Sequence, residues 1–222
     1  MSLAPRSAPR APRAVLLAFA AAAGLLTCLT AHADQQRDPG LKTVVAGAIS
    51  QAQCFTDRFD SAVWYRLMEP RLRRTVPDDR ERVEILKDVY CETHRPGETR
   101  LPPGLVMALI DVESRFDRWA VSSAGAVGLM QVMPFWPEQL GMKRFELTHV
   151  EANLRMGCAI LRFYLREERH NYARALARYN GSVGHRNYSD AVLERWGDHW
   201  TGADDLGSGA QAAQAVRKSS GG

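Results

Sequence analysis

Glu113 is the residue in this chain best placed to do acid–base chemistry. It follows Pro103 on a segment where Val106, Leu109, Ile110 and Phe116 recur at three- and four-residue steps, the period of an amphipathic helix with proline near its first turn. Glu113 lies three residues after Ile110, four after Leu109 and three before Phe116, so it shares the apolar stripe. A carboxyl set in an apolar wall resists ionisation and keeps its proton to a higher pH. A retained proton is what a glycosidic oxygen needs in order to leave. The competing reading is an ordinary helical glutamate at the solvent edge, the commoner fate of the residue type. Glycoside cleavage usually takes two carboxylates, and the second is hard to find. Asp117 lies one turn beyond Glu113 but reads as a helix-end or loop residue, and Asp111 points elsewhere.

The residues beyond Glu113 sharpen the chemistry. Ser114 comes next, then a Ser/Gly-rich loop with Ser122, Ser123 and Gly125, then Gly128-Leu129-Met130-Gln131-Val132-Met133-Pro134, and later Ala177-Arg178-Tyr179-Asn180-Gly181. In this order they resemble the Glu-Ser, Gly-Leu-Met-Gln and Ala-x-Tyr-Asn motifs of the soluble lytic transglycosylases, relatives of goose-type lysozyme. The resemblance spans roughly residues 101–196, and three motifs in series are specific to the family. It implies an all-α, lysozyme-like catalytic domain that acts on peptidoglycan glycan strands with no cofactor.

The resemblance also implies a mechanism with one carboxyl. Glu113 would protonate the oxygen between N-acetylmuramic acid and N-acetylglucosamine, then take the proton of the muramoyl C6 hydroxyl as that oxygen closes on C1. The product is a 1,6-anhydro sugar and no water is consumed. The substrate's own 2-acetamido group shelters the charge at C1. Carried over residue by residue, Ser114 supports the helix end and Gly128 opens the second motif. Ser122 sits where the family has a serine near the carboxyl, Gln131 and Met133 line the sugar groove, and Tyr179 and Asn180 line the cleft. Tyr188 matches a later tyrosine that reaches back to the carboxyl. Taken singly, Met133, Tyr188 and Gln131 also suit a packed core. Two other classes stay open: a lysozyme-like hydrolase using a water, and a non-catalytic glycan-binding or assembly protein.

The elements that must position these groups read as helices. The spacing predicts helices over 41–55 and 59–68, with Pro70 interrupting the second, and another opened by Pro77-Asp78-Asp79. Arg71, Arg73, Arg74, Arg80 and Arg82 make this region basic, read as a solvated face with a weak attraction for anionic polymer. Residues 94–103, which hold Pro96, Gly97, Pro102 and Pro103, form a connector. Beyond the catalytic helix, 116–126 reads as a loop and 127–132 as a short helix stopped by Pro134. Phe135 and Trp136 serve the core or a sugar platform. A long helix is expected over 148–169, with Thr148 as N-cap, Glu151 completing a capping box and Gly157 at a close helix–helix contact. Helices over 172–179, stopped at Asn180-Gly181, and over 188–196 complete the series. The domain division is therefore 1–33 leader, 34–100 N-terminal helical extension, 101–200 catalytic domain and 201–222 disordered tail.

Composition agrees with one globular domain: 222 residues, 45% hydrophobic and 24% charged. The formal charge of +4 owes most of its excess to Arg6, Arg10 and Arg13, so nothing calls for nucleic acid as a partner. Those arginines, the apolar run over 14–29 and Ala31-His32-Ala33 read as a signal peptide cleaved after Ala33, which implies export to the periplasm. Leu25-Leu26-Thr27-Cys28 keeps a lipoprotein open, although threonine directly before the cysteine fits that poorly. In an oxidising compartment Cys54 and Cys91 can form a disulfide. Cys158 falls in step with Leu154, Leu161 and Leu165 as a buried hydrophobe, and no ligand spacing supports a metal. The N-terminal helices offer a surface to a cell-envelope partner that the sequence does not name.

Overall fold

The computed structural model of the protein describes residues 58–202. The leader, the helix expected over 41–55, Cys28, Cys54 and the tail from residue 203 lie outside the described residues. Among the described residues seven α-helices succeed one another: α1 (Arg58–Leu72), α2 (Asp79–Thr93), α3 (Pro103–Ser114), α4 (Phe135–Gln139), α5 (Val150–Glu167), α6 (Tyr172–Asn180) and α7 (Asn187–Asp198), with a 3-10 turn at Arg144–Thr148 before α5. Among the described residues the only β pairing is two isolated bridges, Val121 with Val127 and Val127 with Val132. The fold is all-α.

Helix α3 is the axis of the molecule. Pro103 starts it at a position that needs no backbone N–H, and every residue from Pro103 to Ile110 is buried. A helix buried all round is a core helix, not the amphipathic segment the sequence predicts; only its last turn, Asp111 to Ser114, is partly exposed. Around it α3 packs on α7 and α2, α2 on α5, α5 on α6, and α6 on α7. One apolar cluster runs through all of them, from Trp64 and Met68 in α1 to Trp196 in α7 and Trp200 beyond it.

Several expectations about element ends are corrected. Pro70 does not end α1, which runs on to Leu72, because Leu72 and Met68 are wholly buried and their packing outweighs the hydrogen bond that proline removes near a helix end. Asp78 does cap α2, its carboxylate accepting from the Glu81 N–H at 2.8 Å. Thr148 does not cap the long helix. It closes the 3-10 turn, donating to Phe145 O at 2.7 Å, while Glu146 reaches back to the Lys143 N–H at 2.8 Å and His149 stands at the N-cap of α5. Glu151, the expected capping-box acid, pairs instead with Arg155. The segment 127–132 is not a helix but a tight turn: Gly128 has φ 80° and Gln131 φ 48°, values that a right-handed helix excludes.

The basic stretch is not uniformly solvated. Arg82 is buried, with Glu69, Asp79 and the carbonyls of Val76 and Pro77 taking its guanidinium hydrogens. Between α2 and α5, Glu92 is 4% exposed and receives Arg95 at 3.0 Å and Arg155 at 3.2 Å, and Arg162 donates to Thr99 O at 2.8 Å. Buried charges persist only when paired in this way. Cys158 is a buried thiol that burial pushes up to about 12, so it acts as a hydrophobe. Cys91 is disulfide-bonded, and its expected partner Cys54 falls outside the described residues.

Candidate active site

Helix α3 delivers Glu113 in its final turn, and α7 delivers Tyr188 in its first. The two meet: the Tyr188 hydroxyl donates a short hydrogen bond to Glu113 Oε1. Burial pushes the Glu113 carboxyl up to about 7, and the Tyr188 hydrogen bond opposes that rise without cancelling it. Tyr179 and Tyr188 are pushed well above the ordinary phenol range, first by burial and then by the Glu113 charge, so both remain protonated donors. Near neutral pH, Glu113 is therefore poised to hold a proton and to release it.

The backbone just past Glu113 is strained. Arg115 (φ 52°) and Phe116 (φ 64°) are consecutive left-handed residues without being glycine. Phe116 is held there by burial against Trp200, ring centroids 5.2 Å apart, and the Trp200 Nε1–H donates to Asp111 Oδ2 at 2.9 Å. Strain of this kind persists where neighbours over-determine the conformation, and here it fixes where α3 stops.

Facing that helix end is the Gly128–Gln131 turn. The Ser114 hydroxyl lies 2.8 Å from Leu129 O and joins the turn to the residue beside Glu113. The Tyr179 hydroxyl donates to Met130 O at 2.8 Å. Gln131 Nε2 donates to Gly128 O at 3.0 Å and Ala120 O at 3.2 Å, so its amide braces the turn. Gly128 must be glycine twice over: its φ is positive, and a Cβ there would sit 2.4 Å from both Leu147 O and Asn153 Nδ2.

The structure places the remaining sequence-derived residues less tightly. Ser122 Oγ accepts the Ala126 N–H at 3.0 Å and so stabilises its own loop. Met133 is half-buried against the core, and Asn180 is exposed at the end of α6, where Gly181 (φ 80°) stops the helix. Trp136 is wholly buried core, not a platform. Neither neighbouring acid stands as a second catalytic carboxylate: Asp111 serves Trp200 and Arg195, and exposed Asp117 accepts the Trp119 N–H at 2.8 Å. Among the described residues no three His, Cys, Asp or Glu side chains are arranged to hold a metal. An open cleft between α1 and α2, lined by Glu69, Arg73, Asp79 and Arg82, has its charges paired among themselves.

Sequence reasoning missed Asn153, which is 1% exposed and bonded to the turn. Its signal was available: it falls three residues after Val150 and four before Gly157, a polar side chain on the apolar face of α5. Gly157, expected at a helix–helix contact, instead makes room for the turn, since a Cβ there would lie 2.4 Å from Met130 Sδ.

Residues 93–194 match the family model described as Transglycosylase SLT domain. No solved structure matches the chain. The Glu-Ser, Gly-Leu-Met-Gln and Tyr-Asn motifs all lie inside this match, so residues 93–194 form a Transglycosylase SLT domain, the domain of the lytic transglycosylases, which implies activity on peptidoglycan.

Proposed function

We propose that the protein cleaves the β-1,4 bond between N-acetylmuramic acid and N-acetylglucosamine without water and leaves 1,6-anhydro-muramoyl ends. Glu113 serves as acid and then as base. In the first step its proton passes to the glycosidic oxygen and the C1–O bond breaks, the bonding pair leaving with the N-acetylglucosamine oxygen. In the second, the muramoyl C6 oxygen bonds to C1 and its proton returns to Glu113, restoring the starting state. The sugar's 2-acetamido group shelters the charge at C1, the task a second carboxylate would otherwise perform.

The observation that carries this reading is a lone carboxyl held near neutral in its titration, beside a tyrosine donor and with both nearby acids committed elsewhere. A group that must give and then take a proton works best with its pKa near the operating pH. Ser122, Gln131, Met133, Tyr179 and Asn180 border the glycan groove in this proposal. Asn180 does so from an exposed position, and Ser122 through the hydroxyl hydrogen that its bond to Ala126 leaves unused. Residues 101–200 are the catalytic unit, residues 34–100 an N-terminal extension of it, and the leader takes the chain to the periplasm.

The test is Glu113→Gln, which keeps the shape and the Tyr188 contact and removes the proton. Release of soluble muropeptides is expected to fall by roughly 100- to 10,000-fold, the usual contribution of a positioned acid. Undiminished release would overturn the assignment. Reducing ends in place of anhydro ends among the wild-type products would instead favour a hydrolase.

A further inference from the structure

Asn153 uses its whole amide on one task. Its Oδ1 accepts the Met130 N–H at 2.8 Å, and its Nδ2 donates to Val127 O and Leu147 O, each at 2.9 Å. The donors and acceptor of a primary amide are thereby matched to three backbone groups from two separate segments. The side chain is buried in α5, whose own backbone needs none of these bonds.

The turn it holds is the one joined to the catalytic helix through Ser114 and Leu129 O. Met130 is gripped from two helices at once, its N–H by Asn153 of α5 and its carbonyl by Tyr179 of α6. Its side chain fills the space that Gly157 leaves open one turn along α5. Gly128 lies against the Asn153 amide so closely that no larger residue fits. Each of these contacts fixes the turn against the last turn of α3, where Ser114, next to Glu113, bonds Leu129 O.

We propose that Asn153 is a positioning residue of the active site, holding the Gly128–Gln131 turn against the end of the catalytic helix so that water stays off Glu113. It touches no substrate and acts through Met130 and Leu129. The proposal rests on Glu113 being the catalytic acid, but its central consequence is readable without turnover. If the turn loosens, Glu113 becomes wetter and its titration drops toward that of an ordinary glutamate.

Three measurements on the full-length protein test this. In the wild type, the Met130 amide is expected to exchange its hydrogen as slowly as the α5 core amides; exchange as fast as that of exposed loop amides overturns the proposal. In Asn153→Ala, and in the milder Asn153→Ser should the first not fold, the Glu113 carboxyl followed by carbon NMR is expected to titrate below its wild-type value of about 7. In the same variant, below its melting temperature, kcat is expected to fall by roughly 10- to 100-fold, the scale of a misplacement near 1 Å, and its high-pH limb to move to lower pH. A folded variant that loses melting temperature alone, with titration and kcat unchanged, shows a merely structural asparagine and overturns the proposal. Absence of anhydro products from the wild type would overturn the proposed reaction, while the Glu113 titration still decides the role of Asn153.

Discussion

Burying the Glu113 carboxyl has a cost in stability. Its carboxyl titrates near 7 when folded and near 4.5 when unfolded, so the native state binds the proton more tightly between those values. The cost is absent below about pH 4.5, grows as pH rises, and is complete above about pH 7, where it reaches at most roughly 3 kcal/mol. Glu113→Gln is therefore expected to unfold later than the wild type at pH 8 and together with it at pH 4, as chemical denaturation at the two pH values will show. Tyr188→Phe acts in the opposite sense on the titration. Because the lost hydrogen bond held the pKa down, the apparent pKa of activity is expected to rise, and kcat to fall by roughly 10-fold as the carboxyl loses its anchor. A pH–rate profile measures both. At this scale the sequence was informative where a motif concentrates residue types, as for Glu113, Ser114 and Tyr179. It marked Asn153 only as a polar side chain on an apolar helix face, because that side chain bonds to backbone 6, 23 and 26 residues away and spacing does not name such partners.

The elements show where periodicity misleads. Residues 127–132 carry helix-like apolar spacing, yet they form a turn: Gly128 and Gln131 take left-handed φ, and Asn153 of α5 and Tyr179 of α6 take the Met130 N–H and carbonyl. Gly128 was the local clue: a glycine whose left-handed φ opens the turn. Gly128→Ala is expected to cost at least about 2 kcal/mol, from a strained φ and a backbone carbonyl in the way, measurable as a lower denaturation midpoint. The N-cap of α2 was legible because Pro77-Asp78-Asp79 acts locally, whereas the start of α5 was misplaced because a 3-10 turn absorbed Thr148. The stop of α3 at two left-handed residues had no local signal, for it is imposed by Trp200, which reaches it from 84 residues further along the chain.

Across the whole molecule, the family match begins at residue 93, but the core does not. Trp64, Met68, Leu72, Ile85, Leu86 and Val89 are buried in the same cluster as α3, and Glu92 is paired with Arg155 across the join. A chain cut to residues 93–194 would expose that apolar surface and strand buried charges, so it is expected to lack a cooperative unfolding transition, while a chain that begins at residue 58 or earlier retains one; calorimetry distinguishes them. An all-helical architecture was readable from the sequence because each helix carries its own period, but the fusion of extension and core was not, since it depends on which faces meet. In the proposed reaction one carboxyl, Glu113, gives a proton and takes one back. The most direct test is mass spectrometry of purified peptidoglycan digested by the wild-type protein: fragments ending in 1,6-anhydro-muramic acid, each one water lighter than its hydrolytic counterpart, are expected, and fragments with reducing muramic acid ends alone would contradict it.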